Sequence, residues 1–417
     1  MNGYNSISLR SLNEGYNLSE ASDIRLGSNT ITALYYGSTL LWPKRDYSKE
    51  YLTIEAVDNG IIVSFEKNST SISKDIQYSK DKSKWTTISF IMSDYVSPQV
   101  VLNKGEKLYL KGNNSTYGDY DDLGANQYYC NIKIMGINKN VNLYGNIMSL
   151  LYTDNFINKT TLYSSYTFWH LFRGSNAIID ASNLILPATT LASYCYSYMF
   201  TNCSSLTTAP KLPATTLASY CYNYMFSNCS SLTTAPELPA TTLTDACYRG
   251  MFAYCDAITS APELPATTLA YYCYSYMFTK CRSLTTAPEL PATTLADGCY
   301  NDMFYYCDAL TSAPELPATT LADGCYREMF AYCDAITSAP ELPATTLVSY
   351  CYSYMFINCP SLNYIKCLAT DISATNCLYR WTEHVASTGT FVKNSNMSNW
   401  PTGDSGIPSG WTVQDAS

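Results

Sequence analysis

The 417-residue chain is 47% apolar with a formal charge of −9, so it can bury a sizeable core and is not a disordered polyelectrolyte. Residues 186–367 hold 13 acidic and six basic side chains with no Lys/Arg stripe, which argues against nucleic acid and anionic membrane surfaces as partners. No run approaches the roughly 18 apolar residues of a membrane span, and Met1 to Asp23 lacks a basic stretch followed by an apolar one. The expectation is a protein made in a cytoplasm, without membrane insertion.

In chain order, residues 1–45 form an opening β-hairpin module, ITALYYGSTLLWPK, in which Gly37-Ser38 is the turn and Pro43 the stop. A hairpin alone is marginal, so this module is expected to attach to something larger. Residues 46–150 contain short runs rich in Val, Ile, Tyr and Thr, punctuated at Asp58-Asn59-Gly60 and Asn103-Lys104-Gly105, and predict a β-sandwich. Residues 151–185 lead into the next region as an N-terminal cap. There the spacing Phe172-x2-Ser175-x2-Ile178 copies that of Phe200-x2-Cys203-x2-Leu206, with a serine for the cysteine.

From Leu186 to Cys367 a 26-residue unit is repeated seven times without a gap, first as LPATTLASYCYSYMFTNCSSLTTAPK. Self-similarity at such a period predicts a solenoid, because one unit cannot bury its apolar face and stacked units can. Leu191, Cys195, Tyr198 and Met199 stand at i, i+4, i+7 and i+8 and predict a short helix. Leu206 to Ala209 predicts a short parallel strand, closed by Pro210 at its edge. The expected fold class is therefore an α/β repeat solenoid, a short strand plus a short helix per turn, preceded by all-β modules. Tyr196 and its six equivalents are expected to stack, as are the Leu206 and Met199-Phe200 series.

Fourteen of the 17 cysteines sit at two fixed repeat positions with the spacing Cys-x7-Cys, neither a zinc nor a redox spacing. They read as buried thiols serving as small apolar side chains. Residues 368–417 form the C-terminal cap, with Asp371 as an N-cap and Leu378, Trp381 and Val385 on one helical face.

The frame C-Y-x2-M-F-x2-C-x2-L-T-x-A-P resembles the bacterial leucine-rich repeats of BspA-like surface proteins, carried here by Met199-Phe200, Cys203 and Leu206-Thr207 and their equivalents. The resemblance covers 186–367 and speaks to fold. A second one is to virion fibre or adhesin proteins of tailed phages infecting gut Bacteroidetes. It is carried by IRLGSNTITALYYGSTLLWP, IQYSKDKSKWTTI, GNIMSLLYTDNF and VASTGTFVKNSNMSNWPTGDSGIPSGWTV. It implies a virion protein whose N-terminal module contacts other virion proteins and whose solenoid contacts a host surface glycan or protein, as a monomer or a homo-oligomer. A bacterial surface adhesin and a purely structural virion decoration are the alternatives.

The chemistry of a catalyst is sparse. The two histidines, His170 and His384, are expected in the caps, no cofactor-binding motif appears, and the protein reads as a non-enzyme. The recurrent LPATT is internal and is not a sorting signal. Glu237, Glu263, Glu289, Glu315 and Glu341 recur at one register, so they form either a solvated acidic edge or a strip for cations. Arg327-Glu328 reads as a pair of surface helix positions. Candidate receptor contacts are the threonine row Thr207, Thr233, Thr259, Thr285, Thr311 and Thr337, and the variable Tyr254, Tyr306 and Tyr332 that follow Met-Phe. No metal-ligand constellation is proposed.

Overall fold

A computed structural model describes residues 46–92, 98–120 and 127–416, together with the backbone of four short strands between 25 and 42. The chain divides into two compact units, Met1–Tyr47 and Ser48–Ser417. In the first, Arg25–Leu26 pairs with Asn29–Thr30 and Leu34–Tyr36 with Thr39–Trp42, both antiparallel. The turn expected at Gly37-Ser38, the stop at Pro43 and the stretch Met1 to Asp23 lie outside the described residues.

In the second unit, strands between Leu52 and Asn146 build two mainly antiparallel sheets. One runs Gln99–Leu102, Ile61–Lys67, Gln127–Met135, Gly118–Tyr120; the other runs Val141–Asn146, Leu52–Ala56, Lys107–Gly112, Asp75–Ser79, Thr86–Ser89. Alternate residues of both, such as Leu52, Ile54, Val63, Phe65, Leu108 and Ile132, are fully buried in one apolar cluster. Gly60 and Gly105 take positive φ in the two expected turns. The strand Val141–Asn146 then changes partner type: it pairs in parallel with Ile178–Asp180 and Leu184–Ile185. This edge is the template for the first turn of the coil.

The coil corrects the expected fold class. It is a β-solenoid with almost no helix, not an α/β repeat. Among the described residues the helical segments are Ser149–Tyr152 and the 3-10 turn Tyr47–Lys49, both outside the repeats. Where a helix was expected, Tyr194, Tyr198 and Asn202 have φ of 58°, 57° and 64°, and positive φ recurs at the equivalent positions of every repeat. A right-handed helix needs φ near −63° throughout.

The backbone hydrogen bonds explain what forms instead. Cys195, Ser197, Met199, Thr201 and Cys203 donate three residues back along the chain, at 3.0–3.3 Å. The residues between them, Tyr194, Tyr196, Tyr198, Phe200 and Asn202, donate to Ser219, Cys221, Asn223, Met225 and Ser227 of the next repeat, at 2.9–3.1 Å. Donors thus alternate between a local turn and the neighbouring rung, and the buried backbone is satisfied without helix or continuous strand. The buried side chains follow with a strict period of four: Leu191, Cys195-Tyr196, Met199-Phe200, Cys203. Tyr198, assigned from the sequence to the buried face, is instead half-exposed at a left-handed turn.

The expected strand also shrinks. In the repeats it is reduced to single parallel bridges such as Thr208↔Thr234 and Ser260↔Thr286. Pro210 and its equivalents offer no N–H to extend them. In the seventh repeat Lys366 stands at the proline position, and there a true strand forms: Tyr364–Cys367, in parallel with Thr390–Lys393 and then Thr412–Asp415. The helix expected in the C-terminal cap is likewise absent. Asn376, Arg380 and His384 continue the left-handed turns, and the Asp371 carboxylate accepts from the Ser373 N–H in a local turn.

Stacking runs the length of the coil. Tyr196, Tyr222, Tyr248, Tyr274, Tyr300, Tyr326 and Tyr352 are buried, with successive ring centroids 5.6–6.0 Å apart. Phe168 opens this ladder and Trp381 closes it, the indole N–H donating to the Gly406 carbonyl at 2.9 Å. All 17 cysteines are buried free thiols. Those of the Cys229 type reach the carbonyl of the preceding repeat's phenylalanine, Phe200, at 3.2 Å.

Candidate functional site

With Cys-Tyr and Met-Phe turned inward, the left-handed residues of each turn are among those that vary. They form three columns along the coil, beginning at Tyr194, Tyr198 and Asn202. In the first two repeats rings stack down the columns: Tyr194–Tyr220 at 4.6 Å and Tyr198–Tyr224 at 5.3 Å. His170 begins the second column, packed between Tyr129 and Tyr198, and burial with the Arg173 charge holds its pKa down to about 3.

The tyrosine columns are interrupted in repeats three, five and six, where Ala246/Gly250, Gly298/Asp302 and Gly324/Glu328 replace the tyrosine pair. A cleft of about 430 Å³ opens there. Tyr220, Tyr271, Tyr272 and Tyr276 wall it, and Arg249, Asn301, Asp302, Arg327 and Glu328 supply its polar groups. The Arg249 guanidinium lies over the rings of Tyr272 and Tyr276, 5.7 and 5.4 Å from their centroids. Arg327 pairs with Glu328 at 3.0 Å. Asp302 is buried, and its carboxyl is pushed up to about 7, first by desolvation and then by the charge of Glu328; hydrogen bonding by Tyr276 and the Arg327 charge oppose the shift. Arg327-Glu328, expected as a surface helix pair, is thus half-buried, non-helical and part of a cleft.

The third column brings the sequence-derived tyrosines together. Tyr306 and Tyr332 stack at 4.2 Å, and the Lys280 ammonium sits between the rings of Tyr254 and Tyr306, 4.8 and 5.6 Å from their centroids. The threonine row lies apart from them, after the leucine ladder. Its hydroxyls lean on the coil itself: Thr207 donates to the Ile179 carbonyl at 2.8 Å, Thr233 to that of Thr207 at 3.5 Å and Thr285 to that of Thr259 at 3.3 Å, and all of the row but Thr207 is exposed. Glu237, Glu263, Glu289, Glu315 and Glu341 are all exposed along the proline-rich return, and Glu341 pairs with Lys366 at 2.9 Å. Among the described residues no three His, Cys, Asp or Glu side chains are grouped to hold a metal ion, and no helix is long and apolar enough to cross a membrane.

Arg249, Asn301, Asp302 and Tyr272 were not singled out from the sequence. The signal that could have found Arg249 and Asn301 is a column read down the repeats: Ser197, Asn223, Arg249, Ser275, Asn301, Arg327, Ser353 varies where its neighbours Cys195-Tyr196 and Met199-Phe200 do not; Asp302 and Tyr272 stand in the columns of Tyr198 and Tyr194.

The model of the BspA type leucine-rich repeat region matches this chain over residues 171–285 and 245–381, in six copies. No curated protein and no solved structure matches it.

Proposed function

Because the chain belongs to the BspA-type leucine-rich repeat family, we propose that it is a non-catalytic binding protein of the adhesin kind, whose solenoid presents its turn face to a cell surface. The observation that carries this reading is the split between invariant and variable positions. The inward Cys-Tyr and Met-Phe pairs repeat without change, whereas the left-handed positions vary among Tyr, Asn, Gly, Ala, Asp, Glu and Lys. A scaffold alone does not need that variety on one face, and solenoids bind along extended surfaces of this kind.

Within this reading, the resemblance of the terminal stretches to phage fibre proteins supports mounting on a virion, with residues 1–45 attaching to other virion proteins. The ligand is then a receptor or capsular glycan of the host. Full-length chain added in excess should adhere to host cells and reduce virion adsorption, and antibody against it should label purified particles. A chain that neither adheres nor competes sinks the binding reading; adhesion without virion labelling moves the protein to a bacterial surface.

A further inference from the structure

We propose that the cleft between Arg249 and Glu328 is a subsite for a neutral saccharide, with sugar rings taking the places left by the missing tyrosines. This deepens the binding reading above and rests on it. The first column is vacated in two successive repeats, at Gly298 and Gly324. The Tyr272 ring occupies the space over Gly298, where a β-carbon would come within 2.7 Å of it. Over Gly324 a β-carbon would meet nothing nearer than the Arg327 Cβ at 4.0 Å, so this place in a column of stacked rings is left unfilled. A pyranose packs its face of C–H groups on a tyrosine ring as an apolar surface.

The cleft is lined by both donors and acceptors, Arg249 and Asn301 among them. The Arg249 Nε and the Asn301 Oδ1 are buried without a hydrogen-bond partner, and Asn301 is only 8% exposed. One is a donor and the other an acceptor, and a sugar hydroxyl is both. Buried polar atoms left unpaired are costly, so a ligand that pairs them gains affinity. Charge points to a neutral ligand. Two guanidinium groups face two carboxyls, Glu328 is already paired with Arg327, and the surrounding array has 13 acidic against six basic side chains and repels an anionic polymer.

Affinity electrophoresis of the full-length chain through gels containing mannan, dextran or galactan tests this, with polygalacturonate as the acidic counterpart. At least one neutral polysaccharide should retard the chain. Arg249→Gln and Asp302→Asn should each weaken retardation about tenfold to a hundredfold. Gly324→Tyr places at 324 the ring found at Tyr272 and Tyr350, which share its left-handed backbone; it should abolish retardation while circular dichroism shows the chain still folded. Retardation by polygalacturonate alone, by none of the polymers, or equally in all three variants would overturn the assignment. Host-cell adhesion separates the two claims: variants that adhere like the wild type exclude this cleft and leave the binding reading standing, whereas a wild-type chain that does not adhere removes both.

Discussion

The ring of Tyr224 lies against the backbone of Gly250, so close that a β-carbon at residue 250 would fall 2.2 Å from the Tyr224 Cε1. The glycine therefore does two things. It accepts a φ of 58° without strain, and it makes room for a tyrosine that would otherwise stack on a partner in its own column.

Two glycines of the columns separate these effects. Gly250→Ala meets both the left-handed backbone and the Tyr224 ring, and should lose about 2–4 kcal/mol. Gly324→Ala meets only the backbone term and should lose about 1 kcal/mol. Urea unfolding of the two variants checks the order; equal losses would contradict the packing of Tyr224.

Ser175 stands where later repeats have cysteine because its neighbour is a sheet edge and not another turn. Its hydroxyl donates to the Ile132 carbonyl at 3.2 Å and accepts from the Ile134 N–H at 3.0 Å. Ser175→Ala leaves that buried N–H unpaired and should cost about 1–3 kcal/mol in the same assay. A neutral substitution would mean the serine is not the link between sheet and coil.

The thiol ladders give a chemical prediction. Burial pushes the Cys195 and Cys229 thiols upward, and all 17 cysteines are free and buried. A thiol reagent at neutral pH should react with almost none of them in the folded chain and with all 17 after denaturation without reductant. Fewer reactive thiols in the unfolded chain would reveal disulfides.

Two buried groups give opposite pH dependences. Asp302 is raised to about 7 against an unfolded carboxyl near 3.9, so the folded chain holds the extra proton between those values. Its contribution is present at low pH and is lost as pH rises through about 7. Asp302→Asn should therefore gain stability relative to wild type between pH 5 and pH 8, by about 2 kcal/mol. His170, depressed to about 3, contributes above an unfolded value near 6.5 and loses that contribution as pH falls toward 3. His170→Asn should lessen destabilisation in acid. Melting curves of each variant against wild type isolate each slope; parallel curves would contradict the assignment.

The repeat, its register and its inward ladders were legible in the sequence, because stacking forces Leu206, Met199-Phe200 and Tyr196 to recur. The helix was misread because apolar residues at i, i+4 and i+8 suit one face of a helix and a four-residue turn equally. The distinguishing marks were paired buried residues, Cys195-Tyr196 and Met199-Phe200, and residues that tolerate positive φ four apart, such as Gly298 and Asp302. The cleft was hidden for a different reason. Its members come from separate repeats, and only the stacking of turns places Arg249 over Tyr272 and Tyr276 or puts Asp302 beside Glu328.

Hydroxyl-radical footprinting of the full-length chain on intact host cells tests the central claim that the turn face is the binding surface. Tyr220, Tyr272 and Tyr276, with Tyr254, Tyr306 and Tyr332 of the adjoining column, should lose reactivity on binding, while the exposed Tyr163 keeps its own. Protection confined to Pro239, Pro291 or the other exposed residues of the proline-rich return, with the turn-face tyrosines as reactive as in the free chain, would contradict it.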